Sequence, residues 1–246
     1  MSDNERRAAV DSFYELIDKL SDRIGGARYL ATSTGQDDWP QRGVYFFFEH
    51  GELREGGGGP RVVRVGTHAL AAKSRTLLWS RLSQHRGTVG GSSPGGGSHR
   101  GSVFRRHIGM AILGADSTMV KGRSTWGRGS HAPASVRYGE SDLENAVSTV
   151  IRRMPFVWLP VPDEPGPASV RGVIEAGAIS LLSNFERTPI DPPSITWLGR
   201  SSDRVRIRDS GLWNIRHVDD EPSPGFIEAF TFAIDEMDDS SNFTSS

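Results

Sequence analysis

The amino-acid sequence predicts a mixed α/β (α+β) fold, because segments typical of strands alternate with segments typical of helices. An aromatic run at 43–53 and a shorter apolar run at 61–66 are typical of strands, and the glycine-rich segment between them indicates a hairpin with an enlarged loop. The apolar run at 155–162 predicts a buried strand. We therefore expect a small sheet packed against helices.

Apolar residues at helical intervals predict the helices of the fold. Ser2 and Glu5 have the spacing of a capping box, and the helix that follows them is expected to end near Gly25. Ser169 is a predicted N-cap for a later helix. Further helices are expected at 73–86, 102–113, 140–154, 169–184 and 226–237.

The segment 203–211 is predicted to be a half-exposed strand. Its three arginines, Arg204, Arg206 and Arg208, alternate with β-branched residues and would give the strand one basic face. Such a face could contact nucleic acid, or it could be a charged sheet edge that guards against aggregation.

We expect one domain over residues 1–246, since no linker is long and polar enough to require two. The acidic, serine-rich tail at 238–246 is predicted to be disordered. The other predicted parts are an N-terminal helical extension at 1–40, a core at 43–184 that contains a basic, glycine-rich insertion at 87–138, and a C-terminal helical extension at 185–237.

Composition excludes several classes of site. The chain has no cysteine, which rules out disulfides, thiolate chemistry and cysteine-bound zinc. Its formal net charge is -1, so the protein is not uniformly basic, although a local basic patch stays possible. The charged N-terminal segment has no apolar signal core, and no stretch has the length of a membrane span. We therefore expect a cytoplasmic protein without membrane contact.

Several widespread catalytic motifs are missing. The glycines at 56–59 are not followed by the Lys-Ser/Thr pair of a phosphate-binding P-loop. No two histidines have zinc-ligand spacing with a glutamate between them, and no serine sits in a nucleophile elbow.

Another set of residues, spread over two strands and two helices, forms a recognisable pattern. The tripeptide GVY at 43–45 lies on the first predicted strand and RVG at 64–66 on the second. Arg81 and His85 are four residues apart and share one face of the next helix, and Glu175 lies on a later helix. In this order and on these elements, the set resembles the GIY-YIG nuclease superfamily over roughly residues 43–184.

The resemblance implies a fold and a role for each residue. The fold would be a three-stranded antiparallel sheet flanked by helices, with the site on one face. Tyr45 would activate the attacking water, Arg81 would hold the scissile phosphate, and His85 would assist proton transfer or positioning. Glu175 would be the single metal-binding carboxylate, and Mg2+ or Mn2+ the metal. The asparagine that follows in the family best matches Asn184, with Asn214 as a weaker match.

The chain departs from the family pattern at Arg64, which stands where the second tyrosine belongs. A cation there could contact phosphate or favour ionised Tyr45, whereas a second tyrosine would be a further group for proton transfer. Plain structural interpretations also remain. Tyr45 could be a packing residue, Arg64 a surface charge, Arg81 and His85 a solvated face, and Asn184 an ordinary helix terminus. Glu175 could form a helical salt bridge with Arg171.

Basic residues in the insertion are predicted to follow a nucleic-acid backbone. The candidates are Arg100, Arg105, Arg106, Arg123 and Arg128, with His131 extending the basic character.

The sequence therefore favours a metal-dependent endonuclease that hydrolyses phosphodiester bonds in DNA, with restriction, phage defence or DNA processing as its setting by analogy with the family. Two alternatives stay open. One is a nucleic-acid-binding module that keeps the fold but has lost the chemistry, and the other is a nuclease that cleaves RNA.

Overall fold

The computed structural model describes residues 1–87, 96–119, 121–223 and 225–242. Parts of the predicted insertion, at 88–95 and 120, and the end of the predicted tail, at 243–246, lie outside them. The helices are α1 (Asp3–Arg23), α2 (Leu78–Arg86), α3 (Val103–Ala115), α4 (Ala134–Gly139), α5 (Ser141–Arg152), α6 (Val170–Leu182), α7 (Val205–Ser210) and α8 (Phe226–Asn242). The strands are β1 (Arg28–Tyr29), β2 (Gly43–Leu53), β3 (Pro60–Gly66) and β4 (Pro155–Pro160).

The mixed α/β prediction is confirmed, and the sheet has one strand more than the three expected. The four strands lie in the order β1-β4-β2-β3, and all neighbours are antiparallel. The added strand, β1, is only two residues long, too short for any alternation of polar and apolar residues to mark it. The predicted hairpin is formed by β2 and β3, and β4 pairs with the other side of β2.

Strand β2 is buried on both faces, which explains its nearly continuous apolar sequence. Val44 and Phe46 point to one face and pack in a core with α1, α6 and α8. Tyr45 and Phe47 point to the other face and pack with α2, α3 and α5. Successive residues of a single strand therefore serve two separate cores, and the one that contains Tyr45 adjoins the predicted catalytic helix α2.

The predicted N-terminal extension is an integral part of the first of these cores. Ser2 caps α1 in the predicted capping box with Glu5. Val10, Phe13 and Ile17 are then buried against the sheet and the helices α6 and α8. Within the described residues, every helix is too short or too polar to span a lipid bilayer.

One prediction at the C-terminal end is wrong. Segment 203–211 contains the helix α7 instead of a strand, and the helix ends at Gly211, which has a left-handed φ of 74°. The buried residues Ile207 and Ser210 are three positions apart, which is the spacing of one helix face. The short alternation of arginines therefore did not indicate a strand. Helix α8 continues to Asn242, into the segment that was expected to be disordered.

A buried polar network joins α3 to α5 and to the end of α2. Arg105 is completely buried, and its guanidinium binds the Glu144 carboxylate at 2.5 and 3.1 Å. It also donates to the backbone carbonyl of His85, at 3.0 Å. The predicted contact of Arg105 with nucleic acid is therefore wrong, because the side chain is enclosed and its donors are already used.

The charge of Glu144 in this network depends on its partners. Burial acts to raise the pKa of Glu144, but the hydrogen bonds from His99 and the charge of Arg105 outweigh burial and lower it below its ordinary value. A carboxyl group with a lowered pKa stabilises the fold above its ordinary pKa and loses that contribution as pH falls through the lowered value.

We expect Arg105→Met to lower the free energy of unfolding at pH 7 by about 3–5 kcal/mol, because it leaves the buried charge of Glu144 uncompensated. Urea unfolding followed by circular dichroism would measure the change. The double variant Arg105→Met with Glu144→Gln removes both charges and should recover part of the loss. If the single variant is as stable as the wild type, the network does not hold the two helices together.

Gly66 ends β3 directly against the ring of Tyr45, its partner in the register of β2 and β3. A Cβ atom at this position would lie 2.5 Å from Cζ and 2.6 Å from Cε2 of Tyr45. Contacts this short are absent from real packing, and the buried ring has little room to move. The absence of a side chain at position 66 is thus what allows the phenol to lie where it does.

We expect Gly66→Ala to destabilise the protein by about 1–3 kcal/mol through overpacking, measured as a shift of the thermal or urea unfolding transition. Gly166→Ala is the matched control, because a Cβ atom there meets nothing within 4 Å. Equal stability of the two variants would contradict the close approach of Gly66 to Tyr45.

Candidate active site

A cleft of about 530 Å3 opens where β3, α2, α3, α6 and the segment 213–217 come together. It brings together four of the predicted site residues, Arg64, Arg81, Arg106 and Glu175, from positions far apart in the chain, and the weaker candidate Asn214 as well. The residues of the cleft wall that matter for the chemistry are Arg64, Arg81, Arg106, Glu175, Asn214 and Arg216. One carboxylate therefore faces several arginines.

Behind this wall, Tyr45 and His85 form a buried hydrogen-bonded pair. The Tyr45 hydroxyl and His85 Nε2 are 2.8 Å apart, and His85 Nδ1 lies 2.7 Å from the Ser102 hydroxyl. Ser102 is the N-cap of α3 and accepts the backbone N–H of Arg105. Burial and the nearby cations Arg81, Arg64 and Arg105 hold the pKa of His85 well below its ordinary value, so the imidazole is neutral at pH 7.

The phenol of Tyr45 and the carboxylate of Glu175 lie at the same end of β3. Tyr45 packs under Gly66, as described above, and the N–H of the next residue, Thr67, donates to Glu175 Oε1 at 3.1 Å. The Thr67 hydroxyl in turn donates to the backbone carbonyl of Gly43 on β2. The end of the hairpin thus positions both the phenol of Tyr45 and the carboxylate of Glu175.

Arg64 lies in the interior between these groups, so the interpretation as a surface charge on the hairpin is wrong. Its Nη1 donates to the backbone carbonyl of Trp213 at 2.6 Å, and its guanidinium lies 4.8 Å from the ring centroid of Phe104. Burial lowers the pKa of Arg64, while the proximity of Tyr45 and Glu175 acts against that lowering. Even so, the guanidinium stays charged at neutral pH.

Glu175 is desolvated in the cleft wall, and this burial raises its pKa above the ordinary value. Arg64, the Thr67 N–H, His217 and Arg81 oppose the shift and favour the ionised carboxylate. The alternative of a helical salt bridge to Arg171 is not realised, because Arg171 binds Asp163 and the backbone carbonyl of His68 instead.

Of the two asparagines, the structure brings Asn214 to the cleft. Its side-chain amide accepts a hydrogen bond from the Val65 N–H and donates one to the Val65 carbonyl. Asn214 thus pairs with the backbone of β3 as a neighbouring strand would, and it lines the cleft. Asn184, the better match in sequence, accepts from Arg6 and from the Ile190 N–H in the other core. Sequence spacing after Glu175 favoured Asn184, but the chain returns to the cleft only about 40 residues later.

The basic candidates of the insertion separate into two groups. Arg106 lies in the wall of the cleft and Arg128 is exposed at the surface. Arg100 forms a two-point ion pair with Glu140 at 2.6 and 3.0 Å, and Arg123 donates to three backbone carbonyls of its own segment. Arg106 is therefore the member of the set best placed to meet a ligand in the cleft.

Sequence reasoning missed His107 and Ser102. His107 lies in the cleft wall beside Arg106 and is nearly inaccessible, and burial together with Arg64, Arg106 and Arg204 lowers its pKa to about 3. A histidine within a run of arginines gave no separate signal. Ser102 could have been found as an N-cap, since it is a serine at the start of the predicted helix, but its contact with His85 depends on the fold.

The cleft fits a metal bound by one carboxylate and by water, not a cage of protein ligands. Among the described residues, no three His, Asp or Glu side chains are grouped in a way that could hold a metal ion. Glu175 presents a partly buried carboxylate to the cleft. Magnesium keeps several of its waters when it binds one or two carboxylates together with phosphate.

Comparison with known proteins identifies the family of the chain. No curated protein and no solved structure matches the chain. A family model described as a GIY-YIG domain matches residues 4–240, which includes the first core and both predicted extensions. With nearly the whole chain matched, this protein belongs to the GIY-YIG nuclease superfamily.

Proposed function

We propose that this protein is a divalent-metal-dependent endonuclease that hydrolyses phosphodiester bonds in DNA. The supporting observation is the single cleft that brings Arg64, Arg81 and Glu175 together at the end of β3, directly beside the Tyr45–His85 pair. Membership of a nuclease family supports the reaction class and nucleic acid as the substrate. DNA is the usual substrate of that family, and RNA is the alternative.

The arginines of the cleft wall bind the phosphodiester. Arg81 lies on the exposed side of α2, where it donates to Gln84 and to the Gly101 carbonyl, and both contacts can be exchanged for a phosphate. Arg106 and Arg216 add positive charge along the same wall. Because the transition state carries more negative charge on the phosphoryl oxygens, such fixed cations stabilise it more than the ground state.

Tyr45 serves as the base that accepts a proton from the attacking water. Ionising a free phenol at pH 7 costs about 4 kcal/mol, since its pKa is near 10. Arg64 is the buried cation that lies beside the phenol. The phenolate oxygen takes one proton from the water, and the resulting hydroxide attacks phosphorus as the bond to the leaving oxygen breaks.

Glu175 would hold the metal, with phosphate oxygens and water completing its coordination. When bound, the metal supplies Lewis-acid stabilisation of the phosphate and of its leaving oxygen. Arg64 and Arg81 act from the protein side and favour the ionised Glu175 carboxylate, against the burial that raises its pKa.

A second function has an observation in its favour. Tyr45 and His85 are both fully buried, while Arg64 lines the cleft and lies close to the phenol. Water would reach Tyr45 only after a local rearrangement of the cleft wall. A domain in which this rearrangement does not occur would bind nucleic acid in the cleft without cleaving it.

We expect the purified protein to cleave plasmid or single-stranded DNA in the presence of Mg2+ or Mn2+. Tyr45→Phe should lower the rate by at least about 100-fold, the usual contribution of a positioned proton acceptor. Glu175→Ala should lower it at least as much, because a metal contributes several kcal/mol of transition-state stabilisation. Gel-based cleavage assays with and without EDTA would measure this, with parallel reactions on RNA.

Asn184→Ala is the matched control, since Asn184 lies in the other core and should affect stability more than rate. Cleavage that persists in EDTA or in Glu175→Ala would remove the metal role. Tight, salt-sensitive binding of DNA without cleavage by any divalent ion would support the binding domain instead.

We expect Arg106→Ala to weaken DNA binding at every sequence and to reduce the slope of log affinity against log salt by about one. Fluorescence anisotropy at several salt concentrations would measure the slope. Lys19→Ala removes the same charge from α1, where Lys19 pairs with Asp235 remote from the cleft, and should leave the slope unchanged. Equal slopes in wild type and Arg106→Ala would exclude a phosphate contact.

A further inference from the structure

One wall of the cleft carries a histidine–aspartate pair that has no part in the function proposed above. Segment 213–217 is fixed to β3 by Asn214, whose side chain pairs with the backbone of Val65. His217 ends this segment and lines the cleft together with Glu175. Its ring therefore belongs to the wall that a substrate in the cleft would meet.

Asp220 fixes the orientation of the His217 ring. Its Oδ2 lies 2.6 Å from His217 Nδ1, and an ionised carboxylate can only accept a hydrogen bond, so Nδ1 carries a hydrogen. Within the described part of the chain, Nε2 has no hydrogen-bond partner, and the side chain is 37% exposed. Nε2 is thus the ring nitrogen that is left to meet a ligand in the cleft.

The backbone of His217 supports a role in the site. Its φ of 62° lies in the left-handed region, which few residues other than glycine adopt. Such conformations persist where surrounding contacts enforce them, and they are concentrated at functional sites. Asn214, three residues before, is anchored to β3, and Asp220, three residues after, binds the ring, so the segment is held on both sides.

The other ionisable side chains of the cleft wall are poorly suited to donate a proton at neutral pH. Its arginines stay charged, and Glu175 is the proposed metal ligand. Burial lowers the pKa of His68 to about 4 and that of His107 to about 3. Both rings are therefore neutral at pH 7 and have already lost the proton that an imidazolium donates. His217 differs from them, because it is partly exposed and its ring contacts a carboxylate.

Carboxylates lie near the ring of His217. Asp220 contacts it, and Glu175 on α6 and Asp219 lie within electrostatic range. Arg206 on α7 forms a two-point ion pair with Asp219, at 2.5 and 2.9 Å, which leaves Asp220 to act on the ring. A carboxylate at Nδ1 orients an imidazole and stabilises the positive charge that the ring carries before it releases a proton.

We propose that His217 is a further catalytic residue, which donates the proton on Nε2 to the leaving oxygen of the phosphodiester, with Asp220 as its positioning residue. As the bond between phosphorus and this oxygen breaks, the oxygen takes the proton and becomes a hydroxyl group, and the imidazole becomes neutral. Tyr45 accepts a proton from the attacking water, so the protein gains one proton and gives up one. Exchange with water then restores both groups. This role rests on the proposed function.

The test replaces the leaving oxygen with sulfur. The ends of the products formed from ordinary DNA show whether the 3′ or the 5′ oxygen leaves, and an oligonucleotide then carries sulfur in that place, at a linkage that the wild type cleaves. A thiol has a pKa of about 8.5, so a sulfur leaving group departs without being protonated. Single-turnover rates with Mn2+ are measured on the ordinary and the sulfur substrate.

We expect His217→Asn to cleave ordinary DNA at least about 100-fold more slowly than the wild type, the usual contribution of a positioned proton donor. On the sulfur substrate its rate should be close to that of the wild type. Asparagine tolerates the left-handed backbone that this position requires. Asp220→Asn, which keeps the histidine, should show a smaller loss of the same kind, and it decides the test if His217→Asn fails to fold.

Two control variants separate proton donation from other effects. Tyr45→Phe acts on the attacking water and should be slow on both substrates. His50→Ala removes an exposed histidine of β2, which stacks on Tyr29 and is not part of the cleft wall, and it should change neither rate.

Equal losses on the two substrates in His217→Asn would overturn the inference, and so would an unchanged rate on ordinary DNA. Either result, with a wild type that cleaves, leaves the proposed function intact and removes only the proton donor. A wild type that cleaves neither substrate with any divalent ion would refute the proposed function, and the role of His217 with it.

Discussion

The hydrogen bond between Tyr45 and His85 joins the central strand of the sheet to α2 inside a dry core, and the site is organised around it. The bond is possible because Gly66 has no side chain and lets the phenol lie flat against the end of β3. The same end of β3 then positions Glu175 through the Thr67 N–H. Burial makes this arrangement rigid, since a hydrogen bond in a low-dielectric interior is hard to exchange for one with water.

The parts of the fold that could be predicted from the sequence are those that depend on neighbours in the chain. The capping residues Ser2 and Ser169 and the buried strands β2 and β4 follow from local patterns of hydrogen bonding and burial. The shared helix face of Arg81 and His85 also follows from spacing alone. Strand β1 was missed because a two-residue strand is too short to show an alternation of polar and apolar residues. Helix α7 was missed because an alternation over only five residues is compatible with a helix as well as with a strand.

The parts that could not be predicted depend on partners distant in sequence. Arg105 lies in a basic segment of the sequence, but it is buried because its guanidinium binds Glu144, 39 residues further along the chain. Asn214 reaches the cleft because the chain returns along β3 after two helices, which no spacing rule would indicate. The buried position of Arg64 likewise depends on Trp213 and Phe104.

The pairing of so many arginines inside the protein shapes the electric field outside it. Arg61 with Glu52, Arg100 with Glu140, Arg105 with Glu144 and Arg171 with Asp163 form close ion pairs that cancel at a distance. The cleft wall carries further cations, among them Arg81, Arg106 and Arg216. At physiological ionic strength the reach of an exposed charge is about 8 Å, so these cations act on groups that have already entered the cleft.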